Sequence, residues 1–324
     1  MANGVPAFIQ SKITTRSSQH GNFELLALEG NEVVHYWRDN SKSDFRWYRA
    51  EVVSQQATGD PRLIQNSMSV GGQGNFEAVI LEGSQLVHYT RDNSRSDFLW
   101  QRGQVVSSQA TGQGWIIQSD FGGNFEVMVP EGNQLVHYWR DNSKPNASWN
   151  RGEVISSQVT GPASFIQSDF RMGSSQHGNI EAMVLEGNNL THYWHDSGNM
   201  KSPWQRAGVI SSQATGPACF IQSNLRTGSS EHGNFELVVL EGNDLVRYWH
   251  DNSNMRSPWQ RAEVITSRAT GPGCIIQSDF RSGAMTNDNF EVVVPEGNEL
   301  VHYWHDNSNM SSSWQRSEVI TTLR

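Results

Sequence analysis

A short polar and aromatic motif recurs along the chain, and its residue types are those that bind sugars. Near the end of a predicted strand, most copies carry Trp, then Arg or His, then Asp. Carboxylates and guanidinium groups offer the planar acceptors and donors that sugar hydroxyls need. An indole ring offers a flat plate for the apolar C–H face of a sugar ring. The pattern therefore indicates binding of neutral carbohydrate.

The candidate contacts come from this motif and from a loop that precedes it. We predict sugar contacts at Trp37, Arg38, Asp39, Trp139, Arg140, Asp141, Trp194, His195, Asp196, Trp249, His250, Asp251, Trp304, His305 and Asp306, and at the loop histidines His20, His177 and His232. The Asp has a second interpretation, because an Asp at a strand end often closes an Asx-turn. The second copy has Thr90 in place of Trp, and the third has a shortened loop at 121–124, so these two sites are in doubt.

Other repeated residues favour structural roles. A Trp at the start of the fourth strand and a Tyr in the third occur in every copy, which suits packing between blades. These are Trp47, Trp100, Trp149, Trp204, Trp259 and Trp314, and Tyr36, Tyr89, Tyr138, Tyr193, Tyr248 and Tyr303. The Arg two residues after that Trp is predicted to pair with a repeated Glu across the sheet.

Catalytic and metal chemistry have little support in the sequence. There is no nucleophile elbow, phosphate-binding loop or His-Glu-x-x-His motif, and calcium-loop repeats are absent. A mid-strand His recurs in five copies, but Arg247 replaces it in the fifth, which argues against a metal ligand. We therefore expect no enzyme, no catalytic residue, no metal and no cofactor.

The elements that must position these residues follow from an internal repeat. The Glu of an Asn-Phe-Glu-like triplet recurs at Glu24, Glu77, Glu126, Glu181, Glu236 and Glu291, at spacings of 49 to 55 residues. Each copy contains four β-rich segments separated by Gly, Asn, Ser and Pro. Six such units predict an all-β, closed six-bladed β-propeller with four antiparallel strands per blade. We expect a single domain over 1–324, with blades at approximately 5–57, 58–110, 111–159, 160–214, 215–269 and 270–324.

The strand order within a blade has two alternatives. If the Phe-Ile-Gln strand is innermost, every blade is complete within one repeat. If the Asn-Phe-Glu strand is innermost, residues 5–11 complete the last blade instead. The Trp-Gln-Arg strand is the most polar of the four, which suits an outer edge and favours the first alternative.

Composition limits the partners. With 24 basic and 33 acidic residues the net charge is −9, and no basic stripe is visible, so nucleic acid and anionic membranes are poor candidates. No signal peptide or membrane-spanning run is apparent, which predicts a cytoplasmic protein or one released without a classical signal. Cys219 and Cys274 occupy matching positions in consecutive copies, and we expect them to be buried thiols that are not bridged.

The repeat Gly-Asn-Phe-Glu…Glu-Gly-Asn-x-Leu-Val-His-Tyr-Trp-Arg/His-Asp-Asn…Trp-Gln-Arg resembles the β-propeller lectins of mushrooms and bacteria. It is most similar to the six-bladed mushroom lectins that bind terminal N-acetylglucosamine, and similar in plan to fucose-binding bacterial and fungal propellers and to tectonins. The resemblance implies a multivalent agglutinin that recognises glycans on cell surfaces through shallow pockets at the blades. The alternatives are a lectin for fucose or O-methylated sugars and a protein-interaction platform. The oligomeric state stays open, with a homodimer as one alternative.

Overall fold

The computed structural model describes residues 5–15, 18–67, 74–144, 146–199, 201–280, 288–309 and 311–323. These residues form strands, turns and loops, and they contain no helix. No helix capable of crossing a membrane occurs in this part of the chain. The chain divides into two compact units, one running to Ser157 and including the last residues from Thr322, the other covering Gln158–Thr321.

The first unit contains blades 1 to 3. Its strands are β1 (Ala7–Gln10), β2 (Phe23–Glu29), β3 (Glu32–Arg38), β4 (Trp47–Ser54), β5 (Arg62–Gln65), β6 (Phe76–Glu82), β7 (Gln85–Arg91), β8 (Trp100–Ser107), β9 (Trp115–Gln118), β10 (Phe125–Glu131), β11 (Gln134–Arg140) and β12 (Asn150–Ser156).

The second unit contains blades 4 to 6. Its strands are β13 (Ser164–Gln167), β14 (Ile180–Glu186), β15 (Asn189–His195), β16 (Gln205–Ser211), β17 (Cys219–Gln222), β18 (Phe235–Glu241), β19 (Asp244–His250), β20 (Gln260–Thr266), β21 (Cys274–Gln277), β22 (Phe290–Glu296), β23 (Glu299–His305) and β24 (Gln315–Thr322).

Each repeat folds into one four-stranded antiparallel sheet whose strands lie in chain order. The Phe-Ile-Gln strand is an edge strand that pairs with the Asn-Phe-Glu strand, for example Ile9 with Glu24. Within each unit, the first strands of neighbouring blades also contact one another. The prediction that every blade is complete within one repeat is therefore confirmed, as is the six-bladed, all-β fold class.

The two faces of a blade carry different residues because side chains alternate along a strand. In blade 1, Glu24 lies opposite Trp37 in the β2–β3 register, and Phe23 lies opposite Arg38. Glu24, His35 and Trp37 therefore share one face of the sheet, and we call this the acidic face. Phe23, Tyr36 and Arg38 share the other, which we call the aromatic face.

Within each unit, the aromatic face of one blade packs against the acidic face of the blade before it. In blades 1 and 2, buried Leu26 joins Phe76, Ala78 and Tyr89 in one apolar cluster, with Trp100 packed against it. The Trp100 ring lies 6.1 Å from the His35 ring of the preceding blade. The fourth-strand Trp is therefore a blade-to-blade wedge, as the sequence predicts.

The predicted Arg–Glu pair is present in each blade. Arg102 Nη2 lies 2.9 Å from the carboxylate of Glu82, whose other oxygen accepts the Tyr89 hydroxyl at 2.5 Å. The arginine side chain is half exposed while the glutamate is buried. Because water screens the exposed partner, each pair adds little to stability by itself.

The two long loops of a blade lie at the same end of the sheet. In blade 1, Asn40 after β3 donates from Nδ2 to the carbonyl of Gly21 before β2 at 2.6 Å, and Asn252 and Gly233 make the same bond in blade 5 at 2.6 Å. The loop before the second strand and the loop after the third strand therefore meet in these two blades.

The two cysteines are buried and not disulfide-bonded, as expected from the sequence. They begin the first strands of blades 5 and 6, and their Sγ atoms lie 3.0 Å apart. The spacing along the chain gave no indication of this proximity.

Candidate functional site

A cavity of about 590 Å³ opens between blades 4 and 5. Blade 4 contributes Glu181, His192 and Trp194 from its acidic face, while His250 and Trp259 of blade 5 form part of the opposing wall. The cavity thus combines an indole ring with buried polar groups, and neither blade supplies all of them.

A buried carboxylate paired with a basic side chain forms the polar floor. In blade 4, His192 Nε2 lies 2.8 Å from Oε2 of Glu181, and Ser168 donates to the other carboxylate oxygen at 3.3 Å. The same His–Glu contact occurs in four other blades at 2.8 to 2.9 Å, at His35–Glu24, His88–Glu77, His137–Glu126 and His302–Glu291.

Blade 5 replaces this histidine with Arg247, in a pocket of about 430 Å³. Arg247 lies 2.9 Å from Glu236 and 3.1 Å from Glu263, and Trp314 of blade 6 donates its indole N–H to Glu263 at 2.9 Å. Burial raises the pKa of Glu236 to about 7, against the lowering effect of Arg247. Burial alone would raise the pKa of Glu263, but Arg247 and the Trp314 N–H hold it below its ordinary value.

In blade 1 a second carboxylate brackets the histidine. His35 Nδ1 lies 3.3 Å from Glu51, in addition to its contact with Glu24. Burial lowers the pKa of His35, but hydrogen bonds to these two carboxylates outweigh burial, so its pKa lies above 6.5. Burial would raise the pKa of Glu51, but the contact with His35 lowers it to about 2.

The predicted tryptophans lie on the acidic faces, directly opposite the second-strand glutamates, at Trp37, Trp139, Trp194, Trp249 and Trp304. Trp194 lines the blade 4 cavity and Trp249 lines the blade 5 pocket. All five rings are partly exposed, with Trp139 at 37%. A partly exposed indole beside buried polar groups is suited to stack on a ligand.

The residue after each tryptophan points the other way, because adjacent side chains occupy opposite faces of a strand. Arg91 of blade 2, which follows Thr90, has the same orientation and reaches back to blade 1, where its Nη1 lies 3.0 Å from His35 Nδ1 and 3.1 Å from Glu51. His250 of blade 5 lines the blade 4 cavity, and Arg140 Nη1 lies 3.4 Å from His88 of blade 2. The predicted Trp–Arg/His pairs are therefore split between two faces, and the blade 4 cavity takes Trp194 from one blade and His250 from the next.

The remaining basic residues of the motif are buried on the aromatic faces. The guanidinium of Arg38 lies 4.3 Å from the centroid of the Phe23 ring, and its Nε donates to Asn40 at 2.8 Å. The rings of His195 and His305 lie 5.3 Å from those of Trp204 and Trp314.

The predicted aspartates close Asx-turns. In each, Oδ1 accepts the backbone N–H two residues later at 2.8 to 3.0 Å, as observed for Asp39, Asp141, Asp196, Asp251 and Asp306. None of them lines the cavities of blades 4 and 5. The structure thus shows the turn-forming role, and contact with a ligand stays a prediction.

The loop histidines His20, His177 and His232 are partly exposed. His232 of blade 5 stacks on Phe170 of blade 4, with ring centroids 4.2 Å apart, and its Nδ1 lies 2.9 Å from Asp169. Phe170 lines the blade 4 cavity. The backbone carbonyls of His20 and His177 accept hydroxyls of Ser18 and Ser175 at 2.9 and 3.0 Å, which shapes their loops.

Sequence reasoning missed the floor of the pocket. The repeated glutamate served only as a marker of the repeat, and the mid-strand histidine was considered only as a metal ligand. Glu181 and His192 line the cavity together with Trp194. Glu181 lies opposite Trp194 on the neighbouring strand, and His192 is two residues before it, so all three share one face of the sheet. The sequence did carry a signal for this floor. A glutamate recurs inside an apolar strand in every copy, and a buried charge needs a partner.

Similarity to proteins of known structure is confined to the fold. No protein-family model and no curated protein matches the chain. A lectin from Aleuria aurantia in complex with alpha-methyl-L-fucoside matches with a TM-score of 0.67 at 14% identity, covering 99% of this chain and 96% of that chain. A second Aleuria aurantia lectin structure, described as a six-bladed β-propeller with a novel fucose recognition mode, matches with a TM-score of 0.62 at 15% identity, covering 99% and 97%.

An enzyme shares the fold more distantly. The α-L-arabinofuranosidase of Fusarium graminearum matches with a TM-score of 0.57 at 9% identity, covering 96% of this chain and 99% of that chain. At these identities the likeness establishes architecture and leaves function to the residues of this chain. The chain has the fold of a six-bladed β-propeller, which it shares with fungal fucose-binding lectins.

Proposed function

We propose that this protein is a multivalent carbohydrate-binding lectin whose pockets lie on the acidic faces of its blades. The observation that carries the proposal is the partly exposed indole beside a buried carboxylate and its basic partner, as in Trp194 with Glu181 and His192. The indole supplies the plate for the sugar ring, and the polar floor supplies acceptors and donors for its hydroxyls.

Fucose is a better supported ligand than N-acetylglucosamine, which the sequence motif favoured. The structural neighbours support this choice, because one binds alpha-methyl-L-fucoside and the other recognises fucose. The apolar lining of the blade 4 cavity, which includes Phe170, Met172 and Val209, also suits the methyl group of a deoxy sugar.

Binding rather than hydrolysis fits the distribution of carboxylates. A hydrolase needs one site with a unique carboxylate pair. Here the second-strand and fourth-strand glutamates flank a basic residue in three blades, in the sets Glu24–His35–Glu51, Glu236–Arg247–Glu263 and Glu291–His302–Glu318. Several equivalent weak sites raise avidity by roughly 10²–10⁴ on a multivalent surface, which is how an agglutinin acts.

A glycan array followed by titration calorimetry with free sugars tests the proposal. We expect fucosylated glycans to bind on the array and free methyl α-L-fucoside to bind weakly at more than one site per chain. Absence of binding to every glycan would refute a lectin, and a preference for N-acetylglucosamine would reverse the choice of sugar. Release of free sugar from an aryl glycoside would instead identify an enzyme.

A further inference from the structure

The pockets differ at one position of the fourth strand, four residues after the wedge tryptophan. This position holds Glu51, Gln104, Glu153, Gly208, Glu263 and Glu318 in blades 1 to 6. In blades 1, 5 and 6 the glutamate side chain lies within 3.3 Å of the basic residue of the pocket. Blade 4 alone has glycine, which offers no side chain to this contact.

The glycine leaves room in the blade 4 cavity. A Cβ atom placed on Gly208 would have no atom within 4 Å, so the space beside it is open. The cavity it lines measures about 590 Å³, whereas the blade 5 pocket, which contains Glu263, measures about 430 Å³.

Part of the lining of this cavity is apolar and exposed. Met172, Val209 and Met255 line the cavity and expose 48%, 46% and 50% of their surfaces, although each is an apolar side chain. They come from two blades and face one opening. Apolar side chains gathered at an opening favour a ligand that removes them from water.

We infer that residue 208 determines specificity, and that the blade 4 pocket binds sugars carrying an apolar substituent or aglycone. Glu263 and Arg247 restrict the blade 5 pocket to the sugar ring and its hydroxyls. This inference rests on the proposed function, since it concerns the same family of pockets. It implies that one chain carries pockets of two selectivities.

Paired substitutions test the inference, with methyl and phenyl α-L-fucoside as probes in titration calorimetry. In the unaltered protein, one site per chain should prefer the phenyl glycoside by about tenfold, the size of a modest apolar contact. Gly208→Glu should abolish that preference, and Gly208→Ala should reduce it less, because it adds only one carbon. Glu263→Gly should create a second site that prefers the phenyl glycoside.

The fold should tolerate Gly208→Glu, because blades 1 and 6 hold the same residue at 3.3 and 3.2 Å from their histidines. Unfolding midpoints check this directly. A Gly208→Glu protein that keeps the phenyl preference would overturn the assignment while leaving the lectin function intact. Failure of both glycosides to bind the unaltered protein would overturn the fucose-binding proposal together with this inference.

Discussion

Arg247 is a buried cation that lies between the carboxylates of Glu236 and Glu263. Its side chain and that of Glu236 are only 5% and 1% exposed. Arg247→Met keeps the length and apolar stem but leaves Glu236 without its cation. Removing one partner of a buried pair costs about 3–5 kcal/mol of unfolding free energy. Glu263 adds little to this figure, because it is 39% exposed and water can solvate it.

The unfolding free energy lost on Arg247→Met should be larger at high pH than at low pH. The pKa of Glu236 in the folded protein is about 7, above its ordinary 4.5, so the folded state holds more protons than the unfolded state between these values. Stability therefore falls as pH rises through this window, and removing Arg247 extends the fall to higher pH. At pH 5 the carboxyl is protonated with or without Arg247, so the loss there should be smaller than at pH 8 by about 1.4 kcal/mol, the most that a pKa of about 7 allows one pH unit higher.

Urea unfolding at pH 5 and pH 8 measures both quantities. Arg247→His is the matched control, because His302 in blade 6 bridges the equivalent carboxylates at 2.8 and 3.2 Å. We expect this control to stay within about 1 kcal/mol of the unaltered protein. An Arg247→Met protein that loses less than about 1 kcal/mol at pH 8, or loses equally at both pH values, would refute the reasoning.

Three further predictions concern separate features. Hydrogen peroxide, an oxidant small enough for buried thiols, should convert Cys219 and Cys274 to a disulfide, seen as the loss of two hydrogens by mass spectrometry, and oxidation of either thiol to a sulfinic acid instead would contradict the 3.0 Å approach. His35 should contribute its full stabilisation below pH 6.5, and this stabilisation should disappear as pH rises through the raised pKa of His35. The decrease in unfolding free energy caused by His35→Gln should therefore be smaller at alkaline pH. Gly233→Ala should cost more than about 2 kcal/mol in urea unfolding, because its Cβ would lie 1.7 Å from the Ser223 carbonyl oxygen, and a near-neutral result would show that the loop can yield.

The blades could be predicted because their determinants are local. Turn residues, strand-length apolar runs and a repeated triplet are all visible in the chain, and they specify the meander and its inner strand. The pocket composition could not be read in the same way, because it depends on which blade faces which. The Trp and its following Arg or His were grouped by adjacency in sequence, although strand alternation separates them. The proximity of Cys219 and Cys274 likewise depends on contact between blades.

Sharing a pocket between consecutive blades has an evolutionary consequence. In the blade 4 cavity one repeat supplies the indole and the polar floor and the next supplies part of the wall, so the two faces of a repeat can change independently. Blade 2 illustrates this independence. Thr90 leaves the acidic face of blade 2 without an indole ring, while the adjacent Arg91 still contacts Glu51 of blade 1 at 3.1 Å. A single isolated repeat would have carried no complete pocket of this kind. Selection for a cavity like that of blade 4 could therefore have acted only once a repeat had been duplicated.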